Sequence, residues 1–172
     1  HNCASLQDSI NLLDVSSRSY VPFVTLEDGS RFYQHDMYHL LARRAIITYQ
    51  KLDGFNVDSL MQIRIGDTYQ NMINAYRHRV DSEDAVLLCS LDYWDWKLTN
   101  GINQQPYPTF RMSQKKVSQE YLEALDGLIR EYGSREVCAE TYINKAVYLR
   151  NPGVEHIAQA LKVCDEGLKR YP

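Results

Sequence analysis

The sequence predicts an all-α fold: antiparallel helical hairpins stacked as an α-solenoid, with an irregular N-terminal connector ahead of them. Three observations lead there. From about residue 35 onward, apolar side chains recur at three- and four-residue spacing, the period of one helix face. Residues 121–133 (YLEALDGLIREYG) and 160–172 (ALKVCDEGLKRYP) align at an offset of 39 residues, pairing Leu122 with Leu161, Asp126 with Asp165 and Tyr132 with Tyr171. A helical repeat of that length marks a stacked array, because one helix pair cannot bury both of its faces alone. Finally, there are 13 tyrosines against 4 phenylalanines and 2 tryptophans; a ring with a polar tip suits thin helical layers in which few positions are fully enclosed.

The elements follow in chain order. Residues 3–14 read as a short helix. Residues 15–34 read as the irregular connector: Val21 precedes Pro22 and is held extended, and Asp28-Gly29-Ser30 is a turn signal. A first long helix begins with Asp36 as its cap, buries Met37, Leu40, Leu41, Ala45 and Tyr49, and stops at Asp53-Gly54. A second, from about 57 to 80, carries Met61, Ile65, Tyr69, Met72, Tyr76 and Val80. A third starts at Ser82, with Glu83 and Asp84 favourable at its positive end, and has Leu87, Leu91, Trp94 and Leu98 as its stripe up to Asn100-Gly101. Residues 101–112 (GINQQPYPTFRM) form a loop with two prolines.

The last 60 residues are the most regular. A fourth helix bears Val117, Tyr121, Leu122, Leu125, Leu128, Ile129 and Tyr132 and is closed by Gly133. Ser134 caps a fifth, whose face is Cys138, Tyr142, Ala146 and Leu149. After the break at Asn151-Pro152-Gly153, a sixth carries Ile157, Ala160, Leu161, Cys164, Leu168 and Tyr171. On that assignment, Leu161→Asp is expected to cost several kcal/mol by burying an unpaired charge. Ala146, Ala160 and Gly167 fall where a tetratricopeptide repeat has its small residues, and Pro172 where it has a terminal proline, so 134–172 resembles such a repeat. The chain is thus read as an N-terminal segment, 1–34, and a single tetratricopeptide-like helical domain, 35–172, whose hairpins are clearest at 113–172.

Composition excludes several function classes. Hydrophobic residues make up 44% and charged residues 24%, with a net charge of −3 and a pI near 5.9. That is an ordinary globular balance without the basic excess of a nucleic-acid surface; Arg43-Arg44 and Lys115-Lys116 read as solvated helix faces. No apolar run reaches the roughly 18–20 residues that span a bilayer. The four cysteines are far apart in sequence, so no paired-cysteine metal or redox motif exists. Cys89, Cys138 and Cys164 lie on apolar faces as small hydrophobes, and a Cys138–Cys164 disulfide stays open. The start at His1 and the stop at a helix-ending Tyr171-Pro172 are read as cut points in a longer protein.

Candidate chemistry is sparse. His35 and His39 are four residues apart, the spacing that places two metal ligands on one helix face, and would be the pair used by a metal-dependent hydrolase. If Asp36 caps the helix, however, His35 lies outside it and the shared face is lost. His-Asp also opens a phosphohydrolase signature, but the remaining histidines lack its context. Asp14, Glu27 and Asp28 are loop carboxylates that nothing separates from turn residues. No metal, cofactor or catalytic residue is therefore assigned and the chain is read as no enzyme. In Leu91–Trp96 (LDYWDW), Tyr93 and Trp96 point away from the apolar stripe and are the candidate interaction surface.

Several stretches together resemble the N-terminal helical region of bacterial alpha-2-macroglobulin family proteins of the Bacteroidetes cell envelope. They are Tyr20-Val21-Pro22-Phe23, Gly29-Ser30, His35 through Ala45 (HDMYHLLARRA), Glu120 through Leu125 (EYLEAL) and Ala160 through Pro172. The resemblance covers most of residues 20–172. It implies a large envelope or periplasmic lipoprotein that traps proteases, with its chemistry downstream of this region in a bait segment and, in some members, a Cys-Gly-Glu-Gln thioester. None of the four cysteines here is followed by glycine, so no inhibitory residue carries over. The implied role is architectural: a helical module whose partners are other domains of its parent protein. The alternative reading is a free-standing protein- or peptide-binding repeat module, for example in a nutrient-uptake lipoprotein.

Overall fold

The computed structural model describes residues 20–42, 59–98, 118–151 and 156–172. They are mostly helical and fall into two compact units divided between Tyr107 and Pro108, inside the loop expected at 101–112. None of their helices is long and apolar enough to cross a membrane.

The first unit opens with a feature the sequence reading missed. The described part of the connector is a β-hairpin: β1 (Phe23–Thr25) pairs antiparallel with β2 (Arg31–Tyr33), in register Phe23↔Tyr33, Val24↔Phe32 and Thr25↔Arg31. The extended pre-proline segment and the turn signal belong to it, and an aromatic partner strand completes it. The turn closes with Leu26 N–H donating to Ser30 O at 2.8 Å and Gly29 N–H to Leu26 O at 3.0 Å. Gly29 sits at φ +83°, a left-handed conformation that glycine adopts without steric cost. Asp28 Oδ1 accepts from the Ser30 amide and hydroxyl, which holds its carboxyl below the usual range, the side-chain bond being the larger cause. Phe23 meets Tyr33 edge-on at 5.9 Å, and Arg31 lies over the Phe23 ring.

The chain passes from β2 straight into α1, helical at residues 34–42. Gln34 N–H donates to Pro22 O, so the hairpin itself takes up a first-turn amide and no cap is needed at Asp36. Asp36 is consequently inside the helix, and so is His35. The buried face of α1 is also not the one expected: His35, Tyr38 and Ala42 are enclosed, while Met37 and Leu40 face outward. Ala45 and Tyr49 lie outside the described residues.

α2 (Ser59–Arg77) and α3 (Glu83–Trp96) form an antiparallel hairpin. Tyr69 meets Tyr93, and Gly66 meets Trp96, where a methyl group on the glycine would stand 3.0 Å from the indole ring. Ile65, Tyr69, Met72 and Tyr76 are buried as the periodicity predicts, but Val80 lies beyond the helix and is 90% exposed. At the turn, Asp81 takes φ +57°. The Ser82 hydroxyl donates back to the carbonyls of Tyr76 and Arg79 instead of capping α3. α3 is enclosed on more than one side, since Val86, Leu87, Cys89 and Leu91 are all buried.

Among the described residues the second unit has three α-helices. Ser118 caps α4 (Gln119–Tyr132), its hydroxyl accepting from Tyr121 N–H, and Gly133 stands at the C-cap. Ser134 does not cap the next helix: a 3-10 turn, Glu136–Cys138, intervenes before α5 (Ala139–Arg150). α4 runs antiparallel to α5, with Tyr121 edge-on to Tyr148 at 4.8 Å and Lys145 bonded to Asp126. α6 (Ile157–Arg170) folds back on α5, Tyr171 meeting Tyr142. The small positions read from the sequence are contact points. Ala146 and Ala160 are buried, and a methyl group on Gly167 would come within 3.1 Å of Tyr142 Cβ. Gly167→Leu is therefore expected to lower stability by about 1–3 kcal/mol through overpacking. Gly127→Ala on α4, whose new methyl would meet only the Arg130 guanidinium at 3.9 Å, is expected to gain up to about 1 kcal/mol of helix propensity. Urea midpoints of the two variants check both signs.

Candidate functional site

Two places have arrangements that plain packing does not explain, one in each unit. In the first unit, α1 and α3 bring two histidines and three aspartates together. The hairpin sets this up by starting α1 at residue 34, so that His35 and His39 lie one turn apart on the same helix. Asp92 and Asp95, three residues apart on α3, form the facing row. His35 Nε2 stands 3.5 Å from Asp36 Oδ1 and 3.8 Å from Asp92 Oδ2. Asp92 Oδ1 lies 3.8 Å from His39 Nδ1, and His39 Nε2 lies 3.5 Å from Asp95 Oδ2. The Tyr69 hydroxyl is hydrogen-bonded to His39 Nδ1 at 3.0 Å, so α2 orients the second imidazole.

His35 is fully enclosed, with Tyr33 on one side and Tyr76 on another. Neither of its ring nitrogens has a hydrogen-bond partner. Its spacing to the two carboxylates would suit an imidazolium, but removal from water outweighs attraction at that range. Burial first, and the neighbouring His39 second, push its pKa down to about 3. The ring is neutral at pH 7, with a lone pair available. Burial raises the Asp36 carboxyl, and it also raises the hydroxyl of Tyr69 and the thiol of Cys89 above their ordinary values.

The candidate interaction pair sits beside this cluster, with Tyr93 partly exposed and Trp96 buried. Trp96 is only 6% exposed; its ring lies 6.1 Å from Tyr69 and 5.9 Å from Tyr93. Trp94, expected in the buried stripe, is the partly exposed tryptophan instead, with Lys97 over its ring. An apolar stripe drawn on one face misplaces both rings because α3 is enclosed on more than one side. Of the loop carboxylates, Glu27 and Asp28 are exposed turn residues of the hairpin and Asp14 lies outside the described residues.

In the second unit, α6 buries only Ala160 and Val163. Its apolar stripe, Ile157, Leu161, Cys164 and Leu168, faces outward, with Leu161 62% exposed; α5 adds Ile143 and Val147, also exposed. This corrects the expected burial of Leu161 and Leu168. Helix period identifies an apolar stripe but not what lies against it, and α5 meets α6 on its small residues. Cys138 and Cys164 are both free thiols, which answers the open pairing. In a Cys3→Ser background, Cys164 is expected to react with a thiol-specific dye in the native protein, and Cys89 and Cys138 only on unfolding; three fast-reacting thiols would contradict the burial.

No protein-family model, curated protein or solved structure matches the chain.

Proposed function

We propose that the chain is a non-catalytic helical scaffold and interaction module of a larger cell-envelope protein of the alpha-2-macroglobulin type, its hairpins stacking as tetratricopeptide-like repeats do. The observation that carries the scaffold reading is the outward apolar stripe of α6. Four apolar residues at 157, 161, 164 and 168, joined by Ile143 and Val147 of α5, would be a liability on a finished surface. The internal repeat suggests what the stripe is for. Cys164 aligns with Leu125, which is fully buried on the α4 face where Tyr121 meets α5. In the earlier copy this face is buried at Leu125 and partly covered at Leu122 and Ile129, the counterparts of Leu161 and Leu168. The occupant of the α6 stripe is accordingly the next structural element of the parent protein. The macroglobulin assignment is supported by the sequence resemblance of residues 20–172.

The reading is tested by hydrogen exchange on α6 in the 172-residue chain and in the parent protein. Stronger protection of α6 in the parent is the expected result, and equal exchange in both overturns it. The reading frame beyond residue 172 tests the family. β-sandwich domains with a bait-like stretch support it; a frame that stops, or continues only as helical pairs, overturns it in favour of a free-standing binding module.

A further inference from the structure

We propose that His35, Asp36 and Asp92 bind a divalent transition-metal ion, zinc being the best chemical match, that ties α1 to α3. One ligand atom from each of the three, an imidazole nitrogen and two carboxylate oxygens, lies within 4.8 Å of the other two. Zinc–nitrogen and zinc–oxygen bonds of roughly 2.0–2.2 Å place tetrahedral ligands about 3.3 Å apart. The 3.5 and 3.8 Å separations at His35 Nε2 need to contract by only a few tenths of an ångström.

The second observation that points to a ligand is His35 itself. It is a fully enclosed side chain whose nitrogens make no hydrogen bond, and Nε2 faces both carboxylates. A buried polar ring without a partner costs about 1–3 kcal/mol, and an ion bound at Nε2 removes that cost. The donor set selects the metal class. One imidazole with carboxylates suits zinc, manganese or iron, whereas calcium takes six to eight oxygens and copper(I) prefers sulfur. Asp36 keeps a half-exposed side chain, which leaves an entry path.

Around these three, the neighbouring residues are arranged as outer-shell support. Asp92 turns its other oxygen toward His39, and Tyr69 bonds His39 from α2. This site stands independently of what covers α6.

The test is calorimetric titration of the chelator-treated 172-residue chain with Zn²⁺, paired with the visible spectrum of the Co²⁺-substituted protein. The expected result is one equivalent bound at micromolar or tighter affinity, and visible Co²⁺ bands of a low-coordinate nitrogen–oxygen site. Asp36→Asn and Asp92→Asn should each weaken binding at least about tenfold, while His1→Ala and Cys164→Ser leave it unchanged. Asp36 is half-exposed, so Asp36→Asn carries the test by itself if circular dichroism shows that Asp92→Asn fails to fold. No saturable one-to-one binding overturns the proposal. So does binding that survives the aspartate variants and is lost in His1→Ala or Cys164→Ser.

Discussion

Leu149→Asp is expected to unfold the second unit, while Leu161→Asp leaves it standing. Leu149 is fully buried on the α5 face shared with Tyr142 and Ala146. A carboxylate there loses its water, which costs several kcal/mol. Set against the roughly 0.05–0.15 kcal/mol per residue that holds a fold together, about 3–8 kcal/mol for a unit this small, that leaves residues 118–172 at the edge of unfolding at room temperature. Leu161 is on the outward stripe, where a surface substitution usually changes stability by no more than about 0.5 kcal/mol. Both tryptophans, Trp94 and Trp96, are in the first unit. The experiment therefore reads helical circular dichroism for the loss and tryptophan fluorescence as an internal control. Equal damage from both variants would mean that the outward face of α6 is assigned wrongly. In the parent protein, by contrast, Leu161→Asp is expected to weaken the contact proposed for that stripe.

Tyr69→Ala should be the most damaging single truncation in the first unit. The ring is fully buried and has Tyr38 edge-on at 5.1 Å, with Tyr93 and Trp96 also against it. Removing a buried aromatic ring of this size costs about 3–5 kcal/mol. Tyr69→Phe keeps the packing and deletes only the bond to His39 Nδ1, which is worth about 1–2 kcal/mol when one buried partner is left behind. Urea denaturation followed by tryptophan fluorescence separates the two; a Phe variant as unstable as Ala would show that the hydroxyl, not the ring, dominates.

Much of the helical layout was legible because it depends on local rules. Ile65, Tyr69, Met72 and Tyr76 follow one helix face, and Ala146, Ala160 and Gly167 could be picked out as close-approach points. The hairpin was missed because its strands are three residues each, too short for alternation to register beside a proline. The start of α1 was misplaced because a good capping residue, Asp36, was given precedence over a backbone bond from Gln34 to Pro22 that no local pattern encodes. With Asp36 as the cap, His35 falls outside the helix and the cluster does not form. A signal did exist on the other side: Asp92 and Asp95, spaced to share a face of α3, answer the spacing of His35 and His39. What could not be read was that α1 and α3 meet at those faces, because the pairing joins residues more than fifty positions apart and depends on tertiary packing alone.

The carbonyl of Gly133 receives two hydrogen bonds from far along the chain, one from Arg170 Nε at 2.9 Å and one from the Tyr171 hydroxyl at 2.8 Å. The carbonyl at the C-cap of α4 is thus satisfied by residues that a ribosome makes nearly forty codons later. Until they emerge, α4 and α5 can pair but their open end has no clasp. The second unit should then acquire its full resistance to proteolysis in a late step of synthesis, once α6 has swung back to bring its final turn onto that carbonyl.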